Sequence, residues 1–192
     1  MMSGSALSNL SSAVIDDCRS GLDADALRLA IVPRLRRVVP IDALWWACAD
    51  PQTLLFTRSH REELPESSGP YFVENEYLHN DVNKWTELAQ HPIGVATLMS
   101  ATGGDPCRSD RFRDIFAPLG LQDELRAVLR LAGQSWGYLC LHRGTARATF
   151  SEDEVRFIRL LAPHIAEGIR AGLVRSRASR ESPPAKPTVR SQ

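Results

Sequence analysis

The sequence predicts an α+β domain in which helices flank an antiparallel sheet. First, apolar and polar residues alternate over Glu124–Leu131, a pattern typical of a strand with one buried face made by Leu125, Ala127, Leu129 and Leu131. Second, Gly133 predicts a tight turn into a returning strand, Trp136–His142. Third, apolar residues recur every third or fourth position over Val155–Ile169, which predicts a long amphipathic helix.

The N-terminal half predicts a helix, a second helix and two strands. Residues 5–18 form an amphipathic pattern, and Asp23 is placed to cap a second helix that runs to about Val38. Pro33 lies inside that pattern and is expected to bend it or end it early. Two strands are predicted at 41–48 and 53–58, joined by a turn at Ala49–Gln52.

The middle of the chain predicts two further helices around a short edge strand. Apolar spacing favours one continuous helix from Tyr71 to Trp85, and residues 93–99 favour an edge strand. Ser109 is expected to cap a helix that stops at Gly120. Its predicted buried face comprises Phe112, Ile115, Phe116 and Leu119. Farther along, Ser151 and Glu154 have the spacing of a capping box at the start of the long helix.

Composition limits the functional class. A chain of 192 residues with 43% hydrophobic residues and zero net charge predicts one domain with extensions and no general affinity for nucleic acid. The four cysteines are widely spaced, which argues against a disulfide scaffold or structural zinc and favours a reducing cytoplasm. Neither a secretory signal nor a membrane span is predicted.

We expect three regions along the chain: an N-terminal helical extension at 1–22, a sensory domain at 23–175, and a basic tail rich in Pro and Ser at 176–192. Pro183–Pro187 favours an extended, polyproline-like spacer.

The arrangement resembles a GAF domain, and particular segments resemble the N-terminal sensory region of bacterial LuxR-type helix-turn-helix regulators. The similar segments keep one order and lie within residues 23–175. They are Val39–Ala43, Glu76–Trp85, Ala101–Asp105, Pro118–Arg126, Trp136–Arg143, Phe150–Glu154 and Leu161–His164.

The resemblance implies a GAF-like sheet flanked by helices, with the N- and C-terminal helices packed together on one face. It also implies a domain that receives a small-molecule signal, forms a homodimer through those terminal helices and controls a DNA-binding module downstream. The residues after Val174 cannot build a recognition helix, so contact with DNA is expected only through a module absent from this chain. A part of a longer regulator is the favoured interpretation, and a stand-alone relative is the alternative.

Aromatic side chains are the candidate ligand-binding residues, because an apolar pocket with few polar groups suits a small molecule. The ligand and any cofactor are not identified by the sequence. The candidates come from elements that flank one sheet face in this fold, and they are Trp45 (or its neighbour Trp46), Phe72, Tyr77, Trp85, Trp136 and Tyr138.

The sequence predicts no catalytic residue and no metal site. His79, Asp81 and Asn83 form the one local polar cluster, and a helix would place them on different faces. Leu119 stands where cyclic-nucleotide-binding GAF domains carry Phe. Two alternatives stay open: a thiol redox enzyme of GAF fold that uses Cys107, predicted to be the exposed cysteine, and a dimerisation scaffold without a ligand.

Overall fold

The computed structural model of the chain describes residues 4–181, with side chains described for 4–176. In chain order the elements are α1 (Gly4–Arg19), α2 (Ala24–Leu35), β1 (Ala43–Ala49), β2 (Phe56–Glu62), α3 (Ser68–Leu78), α4 (Trp85–Gln90), β3 (Val95–Thr97), α5 (Leu98–Ala101), a 3-10 turn (Pro106–Arg108), a π-helical turn (Phe112–Phe116), a second 3-10 turn (Ala117–Leu119), β4 (Leu121–Leu131), β5 (Gln134–Gly144) and α6 (Glu152–Glu181). The final helix extends to Glu181, beyond the segment Val155–Ile169 over which its spacing was predicted. The spacer predicted at Pro183–Pro187 lies outside the described residues.

Between residues 4 and 181, five strands form one antiparallel sheet in the order β2-β1-β5-β4-β3. The long strands β4 and β5 form a hairpin whose turn residues Ala132 and Gly133 have φ angles of 50° and 80°. Positive φ at both positions is typical of a two-residue hairpin turn. The predicted turn and the α+β class are confirmed.

One face of the sheet is covered by α1, α2 and α6, so the N- and C-terminal helices pack together as predicted. Two glycines of α6 allow this close approach. A Cβ added at Gly168 would lie 2.8 Å from Leu27 Cδ2, and one added at Gly172 would lie 2.9 Å from the Leu22 carbonyl oxygen. The helix is thus held against both the sheet and the first two helices.

Both predicted helix caps are present. The backbone amide of Ser151 donates to Glu154 Oε2 at 2.8 Å, and the amide of Glu154 donates to Ser151 Oγ at 3.4 Å. The Asp23 carboxylate accepts from the amides of Asp25 and Ala26 at 3.0 and 2.9 Å. The capped helix α2 ends at Leu35, earlier than the predicted Val38, with Pro33 in its last turn.

The single helix predicted over Tyr71–Trp85 is wrong, because α3 ends at Leu78 and α4 begins only at Trp85. Asn83 has a φ of 56°, which interrupts a right-handed helix. The Lys84 ammonium donates to the Asn75 carbonyl in the last turns of α3. Because of this break, the chain from α3 to α4 crosses the sheet face opposite α6.

The helix predicted after Ser109 is a π-helical turn followed by a 3-10 turn. Ser109 still acts as a cap, since its Oγ accepts from the Phe112 amide at 3.2 Å. Phe112 and Phe116 are buried, but Leu119 is 39% exposed, against the prediction. A π-turn has more residues per turn than an α-helix, which rotates the residues after it. Gly120 ends the segment with a φ of 70°.

Strand β2 begins at Phe56, later than the predicted 53–58 segment. The Asp50 carboxylate accepts from the amides of Gln52 and Thr53 at 2.9 Å each, and Leu54 has a φ of 61°. This side chain–backbone turn extends the connection after β1.

Strand β4 is buried on both faces, whereas the sequence pattern predicted a single buried face. Leu125, Ala127 and Leu129 belong to the core under α6, as predicted. Glu124 and Arg126 are 0% exposed on the opposite face. None of the helices within 4–181 combines the length and apolar character needed to cross a membrane.

Gly172→Ala should destabilise the fold by about 1–3 kcal/mol, although alanine favours helices, because its methyl group would meet the backbone of Leu22 and Asp23. Urea unfolding measures the change. Gly69→Ala is the matched control, since its Cβ would meet only Arg61 Nη1 at an ordinary 3.9 Å. Equal effects of the two substitutions would contradict the proposed close packing.

Candidate functional site

Side-chain alternation brings one row of residues to the sheet face opposite α6. Arg61 of β2 lies opposite Trp45 of β1, Trp45 lies opposite Cys140 of β5, and Cys140 lies opposite Arg126 of β4. These side chains share a face because each is directly paired with the next. The row runs from a partly exposed edge strand to a fully buried central one.

Arg126 occupies the centre of this face and is fully buried. Its Nε donates to Glu124 Oε1 at 3.0 Å, and its Nη1 donates to Glu76 Oε2 at 2.8 Å and to the Asn83 carbonyl at 2.9 Å. The guanidinium also lies 4.5 Å from the centroid of the Trp85 ring. One side chain of β4 therefore fixes the position of α3, α4 and the segment that joins them.

Arg111 is the second buried cation and completes the cluster. Its Nη2 donates to Glu124 Oε2 at 2.9 Å and its Nη1 to Asn75 Oδ1 at 3.2 Å. Burial alone would raise the pKa of Glu124, but the charges of Arg111 and Arg126 hold that pKa far below its usual value. Glu124 is therefore a carboxylate that bridges both guanidinium groups.

Asp81 ties the cluster to the chain that precedes the π-helical turn. Its Oδ2 accepts from the Arg111 amide at 2.7 Å, from Ser109 Oγ at 3.1 Å and from Asn75 Nδ2 at 3.0 Å. Burial opposes ionisation, yet these hydrogen bonds and the Arg111 charge keep the pKa of Asp81 below its usual value. The polar cluster of His79, Asp81 and Asn83 thus contributes to structure through Asp81.

A cavity of about 210 Å³ lies between the sheet, α3 and the π-helical turn. Aromatic and aliphatic side chains form most of its wall, with few polar groups between them. Its lining consists of Trp45, Phe56, Ser59, Arg61, Leu64, Ser68, Gly69, Phe72, Val73, Ile115, Phe116 and His142. This composition is typical of a small-molecule site.

His142 is the buried polar group of this cavity. The side chain is 1% exposed, and neither Nδ1 nor Nε2 has a hydrogen-bond partner. Its ring centroid lies 4.6 Å from that of Phe116. Burial, reinforced by the charges of Arg126 and Arg111, lowers the pKa of His142 to about 4, so the imidazole is neutral at pH 7. A neutral imidazole offers one donor and one acceptor.

Five of the six predicted ligand-binding aromatics form one cluster at this site. Trp45 and Phe72 line the cavity, with ring centroids 5.3 Å apart. Tyr77, Trp85 and Tyr138 lie behind them: the Trp85 and Tyr138 rings are 4.6 Å apart, and Tyr77 lies 5.7 Å from the ring of Phe56. Trp46, the alternative to Trp45, belongs to the core under α6.

Trp136 does not join this cluster. Leu129 pairs with Gly137 and Arg130 pairs with Ser135, so Trp136 is the extra residue of a β-bulge. A bulge changes the direction of the side chain. Trp136 therefore packs against the core under α6 instead of sharing a face with Tyr138 as the strand pattern predicted.

Several residues of the site were missed by sequence reasoning. Glu124 and Arg126 were placed on a polar strand face, although charged residues two apart in a strongly apolar strand are a sign of buried pairing. Phe56 lies within the predicted strand 53–58 but was not named as a candidate for the site. Phe116 was predicted only as core.

Glu124, Cys140 and His142 place ligand-type atoms within 4.8 Å of one another, but they do not suit a metal ion. Both carboxylate oxygens of Glu124 accept from guanidinium groups. The thiol of Cys140 is directed to Glu124 at 3.3 Å, and burial raises its pKa well above the usual value. Two adjacent positive charges would repel a cation.

The cysteines are distributed as the sequence predicted. Cys107 is exposed, whereas Cys18, Cys48 and Cys140 are buried. Burial raises the pKa of Cys18 to about 12 and that of Cys48 to about 11, which keeps both protonated. Cys107 lies outside the cavity lining. The thiol redox alternative stays an untested prediction.

A larger open groove of about 670 Å³ lies on the other side of the molecule, between the start of α1, residues Arg37 and Val38, and the first turns of α6. Its wall includes Leu160, which is 57% exposed. The smaller cavity is the better candidate, because it has aromatic walls and a buried, unpartnered histidine.

The fold is an α+β domain built on one antiparallel sheet, with helices on both faces and a cavity on one of them. The chain belongs to the GAF domain family, whose model matches residues 7–169. None of the curated protein sequences matches significantly.

Solved structures of similar fold include sensory and ligand-binding domains. The GAF domain of a phosphoenolpyruvate-protein phosphotransferase from Coxiella burnetii has 16% identity and a TM-score of 0.58, covering 91% of this chain and 96% of that one. The N-acylhomoserine lactone dependent LuxR family transcription factor CepR2 from Burkholderia cenocepacia has 15% identity and a TM-score of 0.59, covering 91% and 99%. The VqsR LBD domain from Pseudomonas aeruginosa has 17% identity and a TM-score of 0.55, covering 84% and 94%. At these identities the similarity establishes the fold.

Arg126→Met should cost about 3–5 kcal/mol of folding stability, because it leaves the buried carboxylates of Glu124 and Glu76 with too little positive charge. Arg58→Met, which breaks an exposed pair with Asp25, should cost less than about 1 kcal/mol. Urea unfolding compares the two variants, and similar losses would contradict the structural role of the cluster.

Folding stability should depend on His142 at acidic pH. The histidine titrates near 4 when folded and near 6.5 when unfolded. The unfolded state therefore binds more protons between these values, and stability falls as the pH decreases through this window. The contribution is at most about 3 kcal/mol.

His142→Gln removes this titration while keeping a polar side chain. The free energy of unfolding of the wild type should fall more steeply than that of the variant between neutral pH and pH 4, as measured by urea titrations at several pH values. Parallel pH profiles would show that His142 is not neutral and buried as described.

Proposed function

We propose that this chain is the small-molecule-sensing and dimerisation domain of a bacterial transcriptional regulator whose DNA-binding module lies outside the chain. Membership of the GAF family supports a sensory role. The similarity in fold to CepR2 and to the VqsR LBD domain supports the assignment to LuxR-type regulators.

The observation that carries the proposal is the cavity of about 210 Å³ beneath α3. The cavity opens to solvent at one end and reaches buried side chains, Phe116 and His142, at the other, so it is deeper than the small voids of a close-packed core. Aromatic walls with a few convergent polar groups favour binding of a small organic molecule. Cys107 is not part of the lining, so the thiol redox alternative would need a different site.

The signal would pass through the sheet to α6. His142 of β5 lies on the cavity side, whereas Gly137 of the same strand would place an added Cβ only 3.1 Å from Ile169 Cδ1 of α6. A ligand that binds one arrangement of β5 and α3 more tightly would shift the population toward it. Because α6 extends to Glu181, a small rotation of this helix would reach the residues that follow.

The homodimer would form through the terminal helices. α6 presents Leu160 and Val174 to solvent at 57% and 56% exposure, on the helical layer away from the cavity. A second copy would cover these apolar side chains through a symmetric contact.

Gly69→Leu tests the proposal by filling the cavity. The added side chain extends from α3 into open space, because a Cβ at Gly69 would meet only Arg61 Nη1 at 3.9 Å. Leucine also favours a helix over glycine by roughly 1 kcal/mol, so the variant should fold. Compounds from a small-metabolite library that includes phenol should raise the Tm of the wild type and should not raise that of the variant.

Gly4→Leu is the matched control, since an added Cβ there has no neighbour within 4 Å and lies in α1, away from the cavity. It should respond to ligands like the wild type. If the library shifts no Tm at all, the ligand-free dimerisation scaffold becomes the better description. If ligands stabilise Gly69→Leu fully, they bind elsewhere.

A further inference from the structure

The residues that line the cavity differ in exposure, which gives the cavity an outer and an inner end. Val73 is 46% exposed and the Arg61 side chain is 37% exposed, so this end opens to solvent. Phe116 and His142 are 3% and 1% exposed, so they form the inner end. A ligand would therefore enter past Arg61 and reach His142 last.

The outer end carries one cationic side chain. Arg61 is the charged residue of the lining, and no acidic side chain lines the cavity in the part of the chain that the structure describes. The first turn of α3 lies at the same end, but the backbone amides of Ser68 and Gly69 already donate to the carbonyls of Pro65 and Glu66. Arg61 is therefore the group that would attract an anionic group of a ligand.

The present partner of Arg61 does not block this position. Arg61 Nη2 lies 3.0 Å from Glu66 Oε1, whose side chain is 92% exposed. Such solvent-exposed pairs contribute little free energy. A ligand anion can replace Glu66 at small cost.

The inner end accepts a neutral polar group. Both ring nitrogens of His142 lack partners and are shielded from solvent, so a ligand group reaches them only after a small shift of the inner wall. The hydrogen bond that it then supplies gains free energy for a buried group that has none. Because the low pKa of His142 keeps its ring neutral, this end attracts a hydroxyl or carbonyl rather than a second anion.

The walls and the size fit one aromatic ring between these ends. The rings of Trp45, Phe56, Phe72 and Phe116 line the space. Its volume is about 210 Å³, below the roughly 300–1,000 Å³ of drug-sized sites and above the about 150 Å³ cavity known to hold benzene. The two ends lie on β2 and β5, two strand spacings apart, and His142 is two residues beyond the position in line with Arg61. The backbone positions are therefore roughly 12 Å apart.

We propose that the ligand of this cavity is a single-ring aromatic carboxylate with a polar group at the opposite end of the ring. Its carboxylate lies beside Arg61 and the first turn of α3, its ring packs among the aromatic side chains, and its far hydroxyl or carbonyl hydrogen-bonds to His142. This assignment rests on the proposed sensing function and adds the chemical class of the ligand.

Calorimetric titration with 4-hydroxybenzoate tests the assignment. Two matched compounds are 4-hydroxybenzyl alcohol, which lacks the charge, and benzoate, which lacks the hydroxyl group. 4-Hydroxybenzoate should bind about threefold to fivefold more tightly than the alcohol, because an ion pair with the partly exposed Arg61 contributes up to about 1 kcal/mol. It should bind about tenfold more tightly than benzoate, the effect of one buried hydrogen bond.

The variants assign each end of the ligand. Arg61→Gln should remove the preference for 4-hydroxybenzoate over the alcohol, whereas Arg58→Gln, on the same strand but paired with Asp25 of α2, should keep it. His142→Leu, whose side chain has no hydrogen-bonding group, should remove most of the preference for 4-hydroxybenzoate over benzoate. One set of titrations thus distinguishes the effect of cavity-lining residues on affinity from the effect of a control residue.

Two results would overturn the assignment. If the alcohol binds as tightly as 4-hydroxybenzoate or more tightly, the ligand does not need a carboxylate. If Arg61→Gln and Arg58→Gln lower the affinity for 4-hydroxybenzoate equally, the effect comes from the overall charge of the protein and not from a contact with Arg61. In both cases a cavity that binds neutral rings would leave the sensing function standing. Failure of the acid, the alcohol and phenol alike to bind would reject the ligand class, whereas the sensing function is rejected only if the whole library leaves the Tm unchanged.

Discussion

The buried guanidinium of Arg126 is the interaction on which the candidate site depends. It joins Glu124 of β4 to Glu76 of α3 and to the Asn83 carbonyl, and it stacks against Trp85 at the start of α4. A buried charge requires several well-placed partners, so these elements hold fixed positions over the sheet. Charge pairing, rather than apolar packing alone, thus supports one side of the molecule and leaves a space between α3 and the strands.

The two faces of the sheet therefore have different physical roles. The face under α6 is a continuous apolar core that includes Ile158, Ile165 and Ile169, and glycines bring α6 close to α1 and α2. The opposite face combines the ionic cluster, smaller apolar clusters and the cavity. A rigid core on one side and an unfilled site on the other suit a domain in which occupancy must affect a distant helix through the sheet.

Much of the fold was predictable from local patterns. The capping box at Ser151 and the apolar spacing of α6 depend on residues within a few positions of one another. Features that depend on distant residues were not predictable. The break after Leu78 depends on contacts of Asp81 and Lys84 with other segments, and the direction of Trp136 depends on a one-residue shift in strand pairing. Most of the aromatic candidates were grouped correctly. The positions of His142 and of the ionic cluster around Arg126 could not be predicted, because they depend on how β1, β4 and β5 are aligned with one another.

Indole N–H signals in a ¹H–¹⁵N spectrum give the most direct test of the central claim, that a small ring enters this cavity. Trp45 lines the cavity and Trp85 lies 6.1 Å from it, ring to ring, whereas Trp46 and Trp136 belong to the core under α6. Titration with 4-hydroxybenzoate should shift the signals of Trp45 and Trp85 and leave those of Trp46 and Trp136 nearly unchanged. Shifts confined to Trp46 and Trp136, or no shift at any of the four indoles, would contradict the account.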